Sequence, residues 1–127
     1  MHYNAVPAVV FTNPEIATVG LTLNEALAKN LPAKASSFPF QALGKAQATH
    51  KDGFSRIVFN SQTNQILGAQ VVGHEAGNLI ASMALAISNE LTLECISHTV
   101  HAHPTLAETW LENALLALEA PLHLPPR

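Results

Sequence analysis

The run His101-Ala102-His103-Pro104-Thr105-Leu106-Ala107-Glu108 places an imidazole five residues before a carboxylate. A proline between them can fix the chain direction at the start of a helix. These residue types can form an acid–base dyad. The carboxylate accepts a hydrogen bond from one ring nitrogen and leaves the other nitrogen to move a proton. Glu108 also has a plainer reading, as the third residue of a capping box begun by Thr105, worth about 1 kcal/mol to one helix. The two readings overlap, because a glutamate in a first helical turn stays ionised beside the positive end of the dipole. His98, His101 and His103 are also spaced as metal ligands could be, with Glu94 and Cys95 as the other donors nearby. No second cluster with ligand spacing accompanies them, so no metal site is assigned. His2, His50, His74 and His123 read as scattered surface residues.

The remaining chain offers such a dyad nothing to act on. It has no G-x-G-x-x-G after a strand, no phosphate-loop lysine, no G-x-S-x-G elbow and no second cysteine for redox work. The one cysteine, Cys95, fits a reducing compartment and reads as core filling in a short helix.

The elements that must position the dyad follow from pattern. Residues 6–11 and 15–21 read as short strands around the Thr12-Asn13-Pro14 turn. Thr22-Leu23-Asn24-Glu25 has capping-box form and predicts a helix to about Asn30, stopped by Pro32. Residues 33–40 read as a strand whose Pro39 marks an edge or an end. The polar stretch 41–51 is ambiguous. Phe54–Phe59 and Ile66–Val72 form a hairpin across Asn60–Asn64. Ala76–Asn89 contains no charged residue, and its apolar groups surround most of a helix, as expected of one buried on more than one side. Thr92 caps a further short helix to about His98. The Thr105 box opens a last helix to about Glu119, with a stripe of Leu111, Leu115 and Leu118 beside Trp110 and Ala114. Pro121, Pro125 and Pro126 make the tail non-helical. Strands first and helices last predict an α+β domain: an antiparallel sheet of about five strands with helices on one face.

At 127 residues the chain is one domain by length, able to bury about two-thirds of its surface. It is 48% hydrophobic and only 12% charged, which leaves apolar surface over for another chain or domain. A net charge of −3 argues against a nucleic-acid partner. Met1-His2-Tyr3-Asn4 has no basic n-region, and no apolar run approaches a bilayer span, so neither a signal peptide nor a membrane partner is expected. From residues alone this is an interface-rich α+β domain that can lend a base to a partner.

The ordered motifs carry a more specific resemblance. Val6-Pro7-Ala8-Val9-Val10-Phe11-Thr12-Asn13-Pro14-Glu15-Ile16-Ala17-Thr18-Val19-Gly20 resembles the opening hairpin of the C-terminal dimerisation domain of the pyridine nucleotide-disulfide oxidoreductases. Phe38-Pro39-Phe40, Asp52-Gly53-Phe54, Ile66-Leu67-Gly68-Ala69 and Val72-Gly73 follow in that family's order. His101 to Glu108 matches its C-terminal signature. Glutathione reductase relatives also carry His-Pro-Thr, usually with serines after it. The His-Ala-His lead and Leu106 favour the branch that oxidises dihydrolipoamide, with soluble transhydrogenases as the next relatives.

The resemblance implies that residues 1–127 are a dimerisation domain whose parent also has an FAD domain with a redox disulfide and an NAD domain. It implies a homodimer in which His103 is the catalytic base, Glu108 orients it, and His101 and Pro104 shape the site near the flavin. The His103 carbonyl would help hold the flavin ring. FAD and NAD belong to the parent, so the chain alone would bind neither and would be catalytically incomplete. A lipoyl-bearing acyltransferase complex is the implied partner, in the cytoplasm or, for a eukaryote, the mitochondrial matrix. A pure association module and a histidine metal site are the competing readings.

Overall fold

Strands β1 (Ala8–Val10), β2 (Ile16–Gly20), β3 (Ala33–Pro39), β4 (Gly53–Asn60) and β5 (Ile66–Gly73) form one antiparallel sheet, in the order β1-β2-β5-β4-β3. The structure is a computed structural model and describes residues 3–49 and 52–119. His2, His50, His123 and the proline-rich tail lie outside the described residues. Pro39 ends β3, which is an edge strand, so its missing N–H breaks no ladder.

Side chains alternate across the sheet with period two. One inner row runs Val9, Ala17, Val71, Ser55, Phe38 from edge to edge. Ala17, Val71, Ser55 and Phe38 are buried, and Val9 packs against the core. Two helices cover this face. α3 (Ala76–Ser88) lies over β2 and β5, and α5 (Glu108–Ala117) over β3 and β4. The Trp110 indole N–H donates to the Leu79 carbonyl at 2.9 Å and ties the two helices together inside the core. Trp110, Phe38 and Phe40 are fully enclosed, each burial contributing roughly 1.5–3 kcal/mol.

The other face is covered in part. Gly68 of β5 lies against the Leu21 backbone, where any Cβ would collide. The chain crosses the sheet there and enters α1 (Leu23–Ala28), which packs on β3. Val58 alternates away from the core on β4 and is nonetheless fully buried, as is Ala26 of α1. The Thr22 capping box forms: Thr22 Oγ1 accepts the Glu25 N–H at 3.1 Å, and Glu25 Oε1 accepts the Thr22 N–H at 3.3 Å. In the β4–β5 turn, Asn60 Oδ1 accepts the N–H groups of Gln62 and Thr63. Asn64 takes a positive φ of 64°, which asparagine tolerates.

Several expectations need correction. The ambiguous 41–51 stretch contains a helix, α2 (Gly44–Thr49). α3 is buried on one side only: Leu79, Ile80, Met83 and Ile87 face the sheet, whereas Asn78, Ala81, Ser82 and Leu85 are exposed. Cys95 on α4 (Leu93–Ser97) is exposed, not core. Thr92 precedes α4 without capping it by its side chain, because its hydroxyl meets Cys95 Sγ instead, at 3.4 Å. On α5 the buried residues are Glu108, Thr109, Trp110, Glu112, Asn113, Ala114 and Leu116, while Leu111, Leu115 and Leu118 are half-buried. The stripe is rotated because polar groups of α5 bond the sheet. Asn113 Nδ2 donates to Ser55 Oγ at 2.9 Å, and Ser55 Oγ and Thr109 Oγ1 share a hydrogen bond of 2.7 Å.

Candidate active site

The loop from α4 to α5 carries the histidines. His103 Nδ1 lies 2.9 Å from Glu108 Oε1 and 3.1 Å from Oε2. An ionised carboxylate only accepts, so Nδ1 carries the proton in this pair and the neutral ring presents Nε2 as its acceptor. Nε2 bonds none of the described residues. The Glu108 side chain is 8% exposed and that of His103 65%. The orienting group is thus fixed within the fold, and the ring it holds faces outward.

Glu108 is held from below and beside. It is the first residue of α5, which the Ser55–Thr109–Asn113 bonds pin to β4. Its Oε2 also accepts the Thr105 backbone N–H at 3.0 Å. That is half of the expected capping box. The other half does not form, because the Thr105 hydroxyl donates to the Ala102 carbonyl at 2.7 Å, and Ala107 takes the cap position. The carboxylate therefore serves the loop and the imidazole together. Gly44, at the start of α2, flanks the ring: a Cβ there would stand 3.7 Å from His103 Cε1. This neighbour has no signature in the sequence, since nothing in the polar 41–51 run marks it.

His101 turns elsewhere. Its Nδ1 meets the Thr99 carbonyl at 2.8 Å, and it shares no bond with the dyad. Pro104 is exposed next to His103. Among the described residues, no three His, Cys, Asp or Glu side chains converge as metal ligands would, so the His98–His101–His103 spacing does not become a cluster. His74 is exposed. Two groups near α4 have shifted acidities. The Asn64 amide, donating at 2.6 Å, and next the Glu94 backbone N–H hold the Glu94 carboxyl below its ordinary range. The Thr92 hydroxyl and backbone lower the Cys95 thiol. A cleft of about 490 Å³ lies apart from the dyad, lined by Thr12, Asn13, Pro14, Glu15, Asp52, Gly53 and His74. No described helix is long and apolar enough to cross a membrane.

His103 is thus an exposed imidazole oriented by a buried carboxylate. Comparison with known proteins shows the family to which the domain belongs. Residues 6–114 match the pyridine nucleotide-disulphide oxidoreductase dimerisation domain. The chain belongs to that family. It is 60% identical over 128 residues to the dihydrolipoyl dehydrogenase of Chlamydia pneumoniae, covering 100% of this chain and 28% of that protein. It is 47% identical to the dihydrolipoyl dehydrogenase of Halobacterium salinarum over 124 residues, 97% of this chain and 26% of that protein. Among solved structures, LpdA from Mycobacterium tuberculosis superposes with a TM-score of 0.84 at 30% identity, covering 90% of this chain and 25% of that one. The HOCl-induced flavoprotein disulfide reductase RclA from Escherichia coli shares the fold, with a TM-score of 0.82 at 20% identity over 87% of this chain and 26% of that one. The chain therefore spans about a quarter of the length of the proteins it matches.

Proposed function

We propose that this chain is the dimerisation domain of a dihydrolipoyl dehydrogenase and supplies His103, oriented by Glu108, as the acid–base group for the active site of the partner subunit. The observation that carries the reading is the pair itself: Nδ1 engaged by a buried carboxylate at 2.9 Å, on a side chain that is 65% exposed. Identity of 60% to a protein of that name, across the whole chain, supports the substrate.

The chemistry asked of these residues is proton transfer. Nε2 takes the proton of a dihydrolipoamide thiol, and the thiolate so formed is the nucleophile. It attacks one sulfur of a redox disulfide in the facing subunit, forming a mixed disulfide and expelling the other sulfur as a thiolate. Nε2 then passes its proton to the expelled thiolate and takes that of the second lipoyl thiol, whose sulfur displaces the remaining enzyme sulfur. Lipoamide leaves oxidised and the enzyme disulfide is reduced. FAD and NAD, held by the other domains, would supply the acceptor for that electron pair. The exposed His103–Pro104 loop fits the margin of a flavin site and not a nucleotide cradle, because the chain has no glycine-rich phosphate loop. His101 and Pro104 would stand at that margin. Throughout, Glu108 keeps its charge and stabilises the imidazolium that forms on proton uptake.

The same reading makes the enzyme a homodimer, served by a lipoyl-bearing acyltransferase complex, in the cytoplasm or a mitochondrial matrix. In the full-length polypeptide, His103→Gln should cut dihydrolipoamide turnover by roughly 10²–10⁴ with flavin still bound. Wild-type turnover from that variant overturns the assignment. The alternative of a pure association module draws on the uncharged outer face of α3, and it predicts that wild-type result.

A further inference from the structure

Gly44 faces the imidazole without a side chain. A Cβ built on it would meet, among the described residues, one atom alone: His103 Cε1, at 3.7 Å. Cε1 is the ring carbon bonded to both nitrogens. The Glu108 carboxylate occupies the Nδ1 side of it, so a side chain growing from Gly44 along the ring edge would grow toward Nε2.

The fold itself does not ask for glycine at this position. The φ of Gly44 is not in the positive range, and no backbone crowds its Cβ position as Leu21 crowds that of Gly68. Gly44 opens α2, where glycine is a poorer helix former than alanine. Both parties to the contact are also firmly held. Leu43 and Ala46, on either side of Gly44, are buried in the core. The Leu43 N–H donates to the carbonyl of the buried Phe40 at 2.8 Å. Opposite, the ring is held by a carboxylate that α5 and the Thr105 N–H fix in turn. A larger residue at position 44 would therefore meet a ring that cannot retreat.

We propose that Gly44 is a specificity-determining residue: the room left by its missing side chain sets how large a group can reach His103 Nε2. The inference rests on His103 being the base, as proposed above. The chemistry of a dithiol explains the need for room. Its two sulfurs yield their protons to one nitrogen in turn, the second while the first is tied in the mixed disulfide. The dithiol and its alkyl arm must then fit along the ring edge, and a bare glycine leaves that edge clear.

Gly44→Val and Gly44→Ala in the full-length enzyme test this. The alanine methyl stands at ordinary contact distance and should leave turnover nearly unchanged. Valine is branched and stiff, and carries a methyl group on toward Nε2. Its kcat/KM for dihydrolipoamide should fall roughly tenfold, as extra methyl groups in a confined site do. Dithiothreitol, a dithiol without the alkyl arm, should lose less. Carbethoxylation of His103 by diethyl pyrocarbonate, read by peptide mass spectrometry, should slow in the same variant. An equal loss for the two dithiols would overturn the proposal, because it would mark a general disturbance and not a limit on size. Wild-type carbethoxylation in the valine variant would overturn it through the geometry. Slowed carbethoxylation with wild-type turnover would overturn it through the dyad assignment, which His103→Gln checks separately.

Discussion

Glu108 holds His103 with both carboxylate oxygens, at 2.9 and 3.1 Å from Nδ1, while its Oε2 also receives the Thr105 N–H at 3.0 Å. One buried carboxylate thus fixes the loop and the tautomer of the ring together. Glu108→Ala should release both. In ¹⁵N spectra of the neutral ring, the Nδ1–H form should lose its dominance and the Nε2–H form should rise. An unchanged tautomer would mean that Glu108 does not orient the imidazole.

A buried donor, the Trp110 indole N–H, joins α5 to α3. Trp110→Phe keeps most of the ring volume but removes the N–H that the Leu79 carbonyl accepts. The Leu79 carbonyl keeps the Ser82 hydroxyl as a donor at 3.3 Å, so the loss of this one hydrogen bond should cost about 0.5–1.5 kcal/mol in urea unfolding. Trp110→Ala adds a cavity and should cost about 3–5 kcal/mol. A Phe variant as stable as wild type would show that water replaces the indole there.

Gly68 matters through space, not through φ. Its Cβ position is occupied by the Leu21 backbone. Gly68→Ala should push the crossing segment and α1 off the sheet, at a cost of about 1–3 kcal/mol or more. Gly44→Ala is the control, because its new methyl meets only His103 Cε1, at ordinary contact distance. Equal stabilities for the two variants would contradict the close approach.

Stability should also carry an acid limb from Glu94. Its folded-state value is depressed, first by the Asn64 amide. Its stabilising contribution is therefore complete above the unfolded carboxylate value of about 4.3 and is lost as pH falls through the lower folded value. Asn64→Gly keeps the positive φ and removes the donor, so the urea midpoint should depend less on pH in that window. An identical pH dependence would show that the bond at 2.6 Å has no thermodynamic weight.

The strands, the hairpin turn and the Thr22 capping box were legible because each depends on local periodicity or on one short motif. Pro39 announced its own edge position. The rotated stripe of α5 was not legible. Leu111, Leu115 and Leu118 outrank Thr109 and Asn113 on any hydrophobicity scale, and only the three-dimensional meeting with Ser55 reverses the order. Cys95 misled for a related reason. Cysteine is usually buried, but α4 turns this one outward. For the site, His103 and Glu108 were visible as a spacing. The turn of the Thr105 hydroxyl to Ala102, and the approach of Gly44 to the ring, depend on loops that meet across the fold.

The most direct test of the trans-acting dyad is a hybrid dimer. Full-length subunits carrying His103→Gln are paired with subunits whose redox cysteines are replaced, and dihydrolipoamide turnover is measured on the purified hybrid. If His103 serves the partner, each hybrid holds one intact site and one doubly impaired site, and turnover should be about half that of wild type. If His103 serves its own subunit, both sites are broken. A hybrid no more active than its two inactive parents would contradict the account.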